Sequence, residues 1–337
     1  MSTKINPKPR TAWQTILAAV CILALWGIPG LLPGFSVAFA DSAPPPVVPI
    51  SISITDPQLG PMVFDALASG DPAGARRGKL VLLLHGFPAN PEEYREMLPV
   101  IAAAGYYAVA PAQRGYSPGA RPTNDSDYTF DHMVADTLSM ATALGADRFH
   151  IVGHEWGAGI AWWIAARSPT RVISLTALST PEIDAFAASG ADPLSPQRDQ
   201  SAYAQVFALH GLANLELSGG PTFFALGIMA FGVPPEKAEI YANALKDPAA
   251  LNAALAWFRA NPLPPVIPSP VGPVTVPTLY VWGDLDFAFS RDAAYRSAQY
   301  VTGPYRFVEL VGVNHWVLET ATQRVLDLIM SQLQAGK

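Results

Sequence analysis

The stretch FHIVGHEWGAGIAWWIAARS (149–168) passes from a β-type apolar run directly into a helical one, with no loop between them. Gly153 and Gly157 stand two positions either side of Glu155, which is the spacing of a strand-to-helix elbow. In such a turn the middle residue is strained and its side chain is pushed out at the sheet edge. Strand and helix must approach closely there, and glycine permits the approach. The middle position is usually a serine. Here a carboxylate occupies it.

The elements around the elbow alternate. KLVLLL (79–84) is apolar throughout, as expected of a strand buried on both faces. A helix is expected over 92–103, a strand at YYAVA (106–110), a helix over Phe130–Leu144, a strand at 149–153, a helix over Glu155–Ser168 and a strand at VISLTAL (172–178). ISISIT (50–55) and MVFDALA (62–68) precede them as short β-type runs. This order implies a mostly parallel sheet flanked by helices, an α/β fold. Residues 184–262 then show no strong strand but helical stretches around Tyr203–Leu215, Pro235–Leu245 and Pro248–Arg259, as in a helical insertion. Seven prolines between Pro262 and Pro277 lead back to a strand at 278–283, a helix over Arg291–Val301, a strand at 305–311 and a last helix over Trp316–Leu333. The core is thus expected at 50–183 and 263–337.

Ligands of open parallel sheets bind at the carboxyl ends of the strands. Three acid/base groups fall there in chain order: Glu155, then Asp284 or Asp286 in WGDLD, then His315 in VNHW. Nucleophile, acid, histidine is a catalytic triad order. A carboxylate at the elbow can attack an electrophilic carbon and become an ester. His315 would activate water against that ester, and one of the two aspartates would orient the ring. Two backbone N–H groups, of Trp156 and of Phe87 in HGFP, are expected to hold the oxyanion. Gly115-Tyr116-Ser117-Pro118-Gly119 also spells G-x-S-x-G, but prolines and polar residues follow it instead of a helix, so it reads as a turn.

The chain has 337 residues, half of them hydrophobic, and a formal charge of −6. With no cluster of Lys or Arg it does not suit nucleic acid; a small neutral or apolar substrate fits better. Lys4, Lys8 and Arg10 precede an apolar run from Ile16 to Leu32, and Ala38 and Ala40 stand in the A-x-A pattern before Asp41. Residues 1–40 are therefore expected to be a signal peptide cleaved after Ala40, giving a secreted or periplasmic protein. The alternative is an N-terminal anchor, in which case membrane contact would come only through the uncleaved N-terminus. SAPPPVVP lies in an expected linker at 41–49. Cys21 is the only cysteine, so the mature chain would have neither disulfide nor thiol nucleophile. No HxxxH or CxxC spacing points to a metal, and no cofactor is implied. A monomer or homodimer is expected.

HGFP (85–88), RGYS (114–117), GHEWG (153–157), WGDLD (282–286) and NHW (314–316) together resemble the epoxide hydrolase and haloalkane dehalogenase branch of the α/β-hydrolase superfamily, over the chain from about Pro49 to its end. The resemblance implies an α/β-hydrolase fold with 184–262 as a helical cap. It implies Asp286 as the triad acid, because the match falls on the fourth residue of GDLD. It also implies one or two cap tyrosines that protonate the alkoxide of an opening epoxide. Tyr203 matches the first. At the second, LAWFR (255–259) puts Phe258, so Tyr203 would act alone or Tyr241 would substitute. A halide leaving group would need only N–H donors, and the Trp156 indole could be one.

Three positions depart from the branch: Glu155 in place of aspartate, Phe258 in place of tyrosine, and Ala112 where aspartate is common. The extra methylene carries the carboxylate ~1.3 Å further out, and a misplacement of about 1 Å can cost ~10²-fold in rate. Glu155 is then a nucleophile in a recessed pocket, a general base acting on water, or the relic of a lost activity. The expected reaction is epoxide hydrolysis through a glutamyl ester. Dehalogenation of a small organohalide and non-catalytic binding of a small molecule are the alternatives. His85 and His154 are expected to be structural and bonded to backbone. His132 and His150 are read as packing or surface residues, His210 as exposed, and Asp136 and Glu319 as solvated or helix-capping charges.

Overall fold

The computed structural model describes residues 43–265 and 270–335. The expected signal peptide, with Cys21, lies outside the described residues. Eight strands form one sheet: β1 (Val48–Asp56), β2 (Gly60–Ser69), β3 (Leu80–Leu84), β4 (Tyr107–Pro111), β5 (Phe149–His154), β6 (Val172–Leu178), β7 (Thr278–Leu285) and β8 (Tyr305–Asn314). Their order is β1-β2-β4-β3-β5-β6-β7-β8. β2 is antiparallel to both its neighbours, and every other pairing is parallel. β1 begins at Val48, inside the stretch expected as linker.

The helices of the described residues are α1 (Leu98–Ala103), α2 (Phe130–Ala143), α3 (Trp156–Arg167), α4 (Ile183–Ala191), α5 (Gln197–Gln200), α6 (Tyr203–Phe207), α7 (Leu212–Glu216), α8 (Gly220–Ala230), α9 (Pro235–Ala244), α10 (Pro248–Ala260), α11 (Arg291–Arg296), α12 (Val317–Thr320) and α13 (Thr322–Ala335). The sheet core divides by the two-residue period of the strands. Leu80, Leu82 and Leu84 of β3 pack on the face covered by α2 and α3, with Met140, Ile160 and Ile164. Val81 and Leu83 pack on the other face, against Leu98 and Ile101 of α1 and Leu326, Ile329 and Leu333 of α13.

Several elements differ from expectation for local reasons. The single helix expected over 92–103 is a short 3-10 turn, Pro91–Tyr94, followed by α1. The Asn90 side chain caps the start of that turn by accepting from the N–H of Glu92. α8 was not foreseen. Its sequence GPTFFALGIMA is apolar on all sides, so it carries no one-sided stripe to reveal it. Asp136, expected in solvent, is buried. The Arg114 Nε and Nη2 each donate to its carboxylate at 2.7 Å, Nη2 also donates to Asp56 at 2.7 Å, and Nη1 donates to the Asp127 carbonyl at 2.9 Å. This fully buried arginine ties the end of β1 to α2.

Removing the arginine would strand two buried carboxylates. Arg114→Ala is expected to cost about 3–5 kcal/mol. Arg114→Met combined with Asp56→Leu and Asp136→Leu should lie much closer to the parent, because no buried charge is left unpaired. Urea unfolding of both variants checks the contrast.

Candidate active site

β5 ends at His154 and α3 begins at Trp156, so Glu155 alone makes the turn. Its φ of 50° and ψ of −115° lie where a side chain is strained. The glycines on either side are sterically required. A Cβ on Gly157 would come 2.1 Å from the Leu84 carbonyl oxygen, and one on Gly153 would come 2.2 Å from the Gly157 carbonyl oxygen. On the facing loop, a Cβ on Gly86 would lie 2.6 Å from both Cβ and Oε2 of Glu155. The HGFP turn thus leaves the room that the longer acid occupies.

The Glu155 side chain folds back on its own helix start. Oε2 accepts from the N–H of Trp156 at 2.7 Å and from the N–H of Phe87 at 2.8 Å. The extra methylene is taken up by this return, and the carboxylate is not carried out into the cavity by its full added length. Oε1 has no hydrogen-bond partner among the described residues. Burial pushes the carboxyl above its ordinary value of 4.5, while the His315 ring and the two N–H groups pull it back down.

His315 follows β8, and its Nδ1 lies 3.1 Å from each oxygen of Asp286. Asp286 Oδ1 also accepts from the N–H groups of Ala288 and Phe289, at 2.8 and 3.0 Å. Asp284 does not reach the ring; its carboxylate accepts from the Gly312 N–H at 2.6 Å. Behind the ring, Ser179 Oγ donates to the His315 carbonyl at 2.8 Å, and His154 Nε2 lies 3.1 Å from the same oxygen. His154 is therefore more than a backbone-bonded histidine: its Nδ1 is 3.2 Å from Glu93, and both side chains are buried. Burial raises Glu93 to about 7. Burial alone would lower His154, but the Glu93 carboxylate lifts it to about 9.

Glu155, His315 and Tyr203 line one cavity of about 140 Å³. Its walls are aromatic and aliphatic, among them Phe207, Phe224, Ile228, Phe258, Phe287 and Trp316. The residues of α6, α7, α8 and α10, between β6 and β7, supply most of them. The Tyr203 hydroxyl has no hydrogen-bond partner among the described residues, and burial, with the Glu155 and Asp286 charges, raises it well above its ordinary value. Phe258 lines the cavity where a second tyrosine was sought. Tyr241 does not replace it. It is buried, it does not line the cavity, and its hydroxyl donates to Glu319 at 2.6 Å. Glu319 is thereby half-buried and engaged, not a solvated charge. The Trp156 indole N–H is buried and has no hydrogen-bond partner among the described residues.

The decoys resolve structurally. Ser117 of the G-x-S-x-G stretch at 115–119 is fully buried and donates to the Ala112 carbonyl at 2.7 Å. His85 is buried, with Nδ1 2.8 Å from the Gly86 carbonyl and Nε2 accepting from the Gln113 N–H at 3.1 Å. His150 packs beside Ser174, and His210 is exposed. Among the described residues no group of three or more His, Cys, Asp or Glu could hold a metal ion. Glu93, Phe287 and Glu216, which also lines the cavity, were not singled out from sequence as site residues. Glu93 stands in a run read as a helix start, and the other two have no motif around them.

Residues 79–322 match the family described as alpha/beta hydrolase fold. The chain belongs to that family. It is 28% identical over 299 residues to epoxide hydrolase A of Mycobacterium tuberculosis, covering 77% of this chain and 92% of that one. It is 28% identical over 278 residues to the AB hydrolase superfamily protein YfhM of Bacillus subtilis, covering 78% and 92%. Among solved structures, the fold is shared with an epoxide hydrolase of Bacillus megaterium in complex with an inhibitor, with a TM-score of 0.72, 21% identity, and coverage of 85% of this chain and 100% of that one.

A carboxyl whose folded value is raised withdraws stability as pH climbs from 4.5 through that raised value. Glu155→Gln keeps an oxygen for the two N–H groups and removes the charge. The variant should therefore melt above the parent at pH 8. The gap should close towards pH 4. Calorimetric melting across this range reads the effect.

Proposed function

We propose that this chain is an epoxide hydrolase-like enzyme that opens an epoxide by attack of Glu155. One observation carries the reading: Glu155 holds one carboxylate oxygen on two N–H groups and leaves the other free, in a cavity it shares with the His315–Asp286 pair. The similarity to epoxide hydrolases supports the substrate class. In the proposed reaction, Oε1 attacks an oxirane carbon, the C–O bond breaks, and Tyr203 donates its proton to the leaving alkoxide. The product is an ester on Glu155. His315 Nε2 then takes a proton from water, whose oxygen attacks the ester carbonyl carbon. Negative charge gathers on Oε2, which the Phe87 and Trp156 N–H groups already hold. Asp286 stabilises the imidazolium. Collapse expels the diol's oxygen, which takes the proton held by the His315 imidazolium, and the new Glu155 carboxyl gives up its proton to restore the Tyr203 hydroxyl. The sum is epoxide plus water to diol.

The orphan indole N–H of Trp156 favours a second reading, dehalogenation of a small organohalide, because a halide accepts N–H donors and needs no proton. Only the epoxide uses the Tyr203 hydroxyl. The leader-like pattern of residues 1–40 supports export of the enzyme.

With His315→Gln, an epoxide panel should leave a mass adduct on the peptide that carries Glu155. Its rate of formation should rise with pH through a midpoint above 4.5, since burial raises the attacking carboxyl. Turnover by the parent with no adduct in the variant would favour Glu155 as a base on water. If nothing on an epoxide and organohalide panel is consumed, the reading as a non-catalytic binding protein gains.

Tyr203→Phe should lower kcat on epoxides by about 10²-fold or more while leaving halide release from any organohalide substrate nearly unchanged. Parallel diol and halide assays separate the two leaving groups.

A further inference from the structure

Glu216 ends α7 and lines the same cavity as Glu155, Tyr203 and His315. Among the described residues these four are the only ones lining it that have an ionisable side chain, and none is Lys or Arg. Glu216 is half-buried, and among the described residues its carboxylate has no hydrogen-bond or ion-pair partner. Its Oε2 rests towards Gly227 of α8, as the nearest atom to a Cβ built there, at 4.0 Å. Of the cations of the helical segment, Lys237 pairs with Glu96, Arg259 with Asp125 and Arg198 with the Gly190 carbonyl, while Lys246 is exposed and is not part of the cavity wall.

A carboxylate set in an apolar wall without a partner is incompletely compensated when a ligand displaces its water. A ligand that brings a cationic donor restores the lost bond and adds charge to it. The aromatic walls add to this, since Phe207, Phe224, Phe231 and Trp316 line the cavity and aromatic rings attract cations. A ligand that brings its own carboxylate meets two acids and no lysine or arginine.

We propose that Glu216 sets substrate choice, so that the cavity takes epoxides carrying a protonated amine in preference to those carrying a carboxylate. This rests on the reading of Glu155, His315 and Tyr203 given above, but its first test needs no turnover. Two inert ligands of equal carbon count, 3-phenylpropylammonium and 3-phenylpropanoate, are titrated into the intact protein by calorimetry at neutral pH. The ammonium should bind at least about tenfold tighter than the carboxylate. Glu216→Gln should shrink that ratio towards one, and Glu216→Lys should invert it. Glu155→Gln should leave most of it in place. Equal binding of the two ligands by the parent overturns the proposal. So does a ratio that Glu216→Gln does not move, which would assign the selectivity to Glu155. In the second arm, kcat/KM for a matched pair of ammonium- and carboxylate-bearing styrene oxides should follow the same ratio and respond the same way to Glu216→Gln. If no epoxide is opened while the binding ratio still depends on Glu216, the hydrolase reading fails and the charge selection stands.

Discussion

The site depends on how closely β5 and α3 approach the end of β3. With Gly157 set against the Leu84 carbonyl and Gly153 against Gly157, no side chain separates the helix start from the sheet. That contact leaves a single residue to reverse the chain, and Glu155 adopts a positive φ to do so. Strain of this kind costs on the order of 1–3 kcal/mol. It is held by the packing of α3 between the sheet and α2, where Ile160, Ala161 and Ile164 are fully buried. Because the turn is over-determined, the acid's backbone has no second conformation to relax into. The Trp156 N–H that begins the helix then lies within reach of whatever oxygen the side chain carries.

The same turn decides what the longer side chain can do. An acid projecting straight out would place its charge in an apolar cavity, where an unpaired carboxylate is very costly. Folding back onto two N–H groups answers that cost for one oxygen, and the facing His315 ring answers part of the rest. The residue across the gap must then be glycine, and Gly86 is. In the proposed reaction the held oxygen is the one that becomes the ester carbonyl and later the oxyanion. The ground state and the charged intermediate would then use one set of donors, with little reorganisation between them.

Much of this was legible in the sequence because it follows from local rules. Apolar runs such as LVLLL can only be buried strands between helices, and the G-x-x-x-G spacing around Glu155 fixes an elbow. Asp286 and His315 fall just past strand ends, so the sheet itself brings them towards Glu155. What was not legible depends on contacts far apart in the chain. Asp136 reads as a surface charge on α2 until Arg114, 22 residues earlier, is placed beside it. Tyr241 reads as a spare tyrosine of the insertion until Glu319, 78 residues later, takes its hydroxyl. Glu93 is indistinguishable from Glu92 in sequence, yet one is buried against His154 and the other bonds Arg95 near the surface. α8 escaped because periodicity reveals a helix only when one side is wet, and its apolar residues serve both the cavity and the outer surface.

The division of labour between the two parts of the chain follows from the same physics. Glu155, Asp286 and His315 are themselves buried at or just past strand ends, and His315 is fixed further through its carbonyl by Ser179 and His154. A shift of about 1 Å in any of them would be expensive for reaction chemistry, so they belong on the sheet. Much of the wall that would touch the rest of a ligand comes from helices outside the sheet, from five residues each in α6 and α7 to 11 in α8 and 13 in α10. Substitution there alters shape and charge without moving the sheet. A carboxylate such as Glu216 can therefore be gained or lost in the wall while Glu155, Asp286 and His315 keep their relative positions. On the proposed roles, selectivity and reaction chemistry would for that reason be separable properties of this chain.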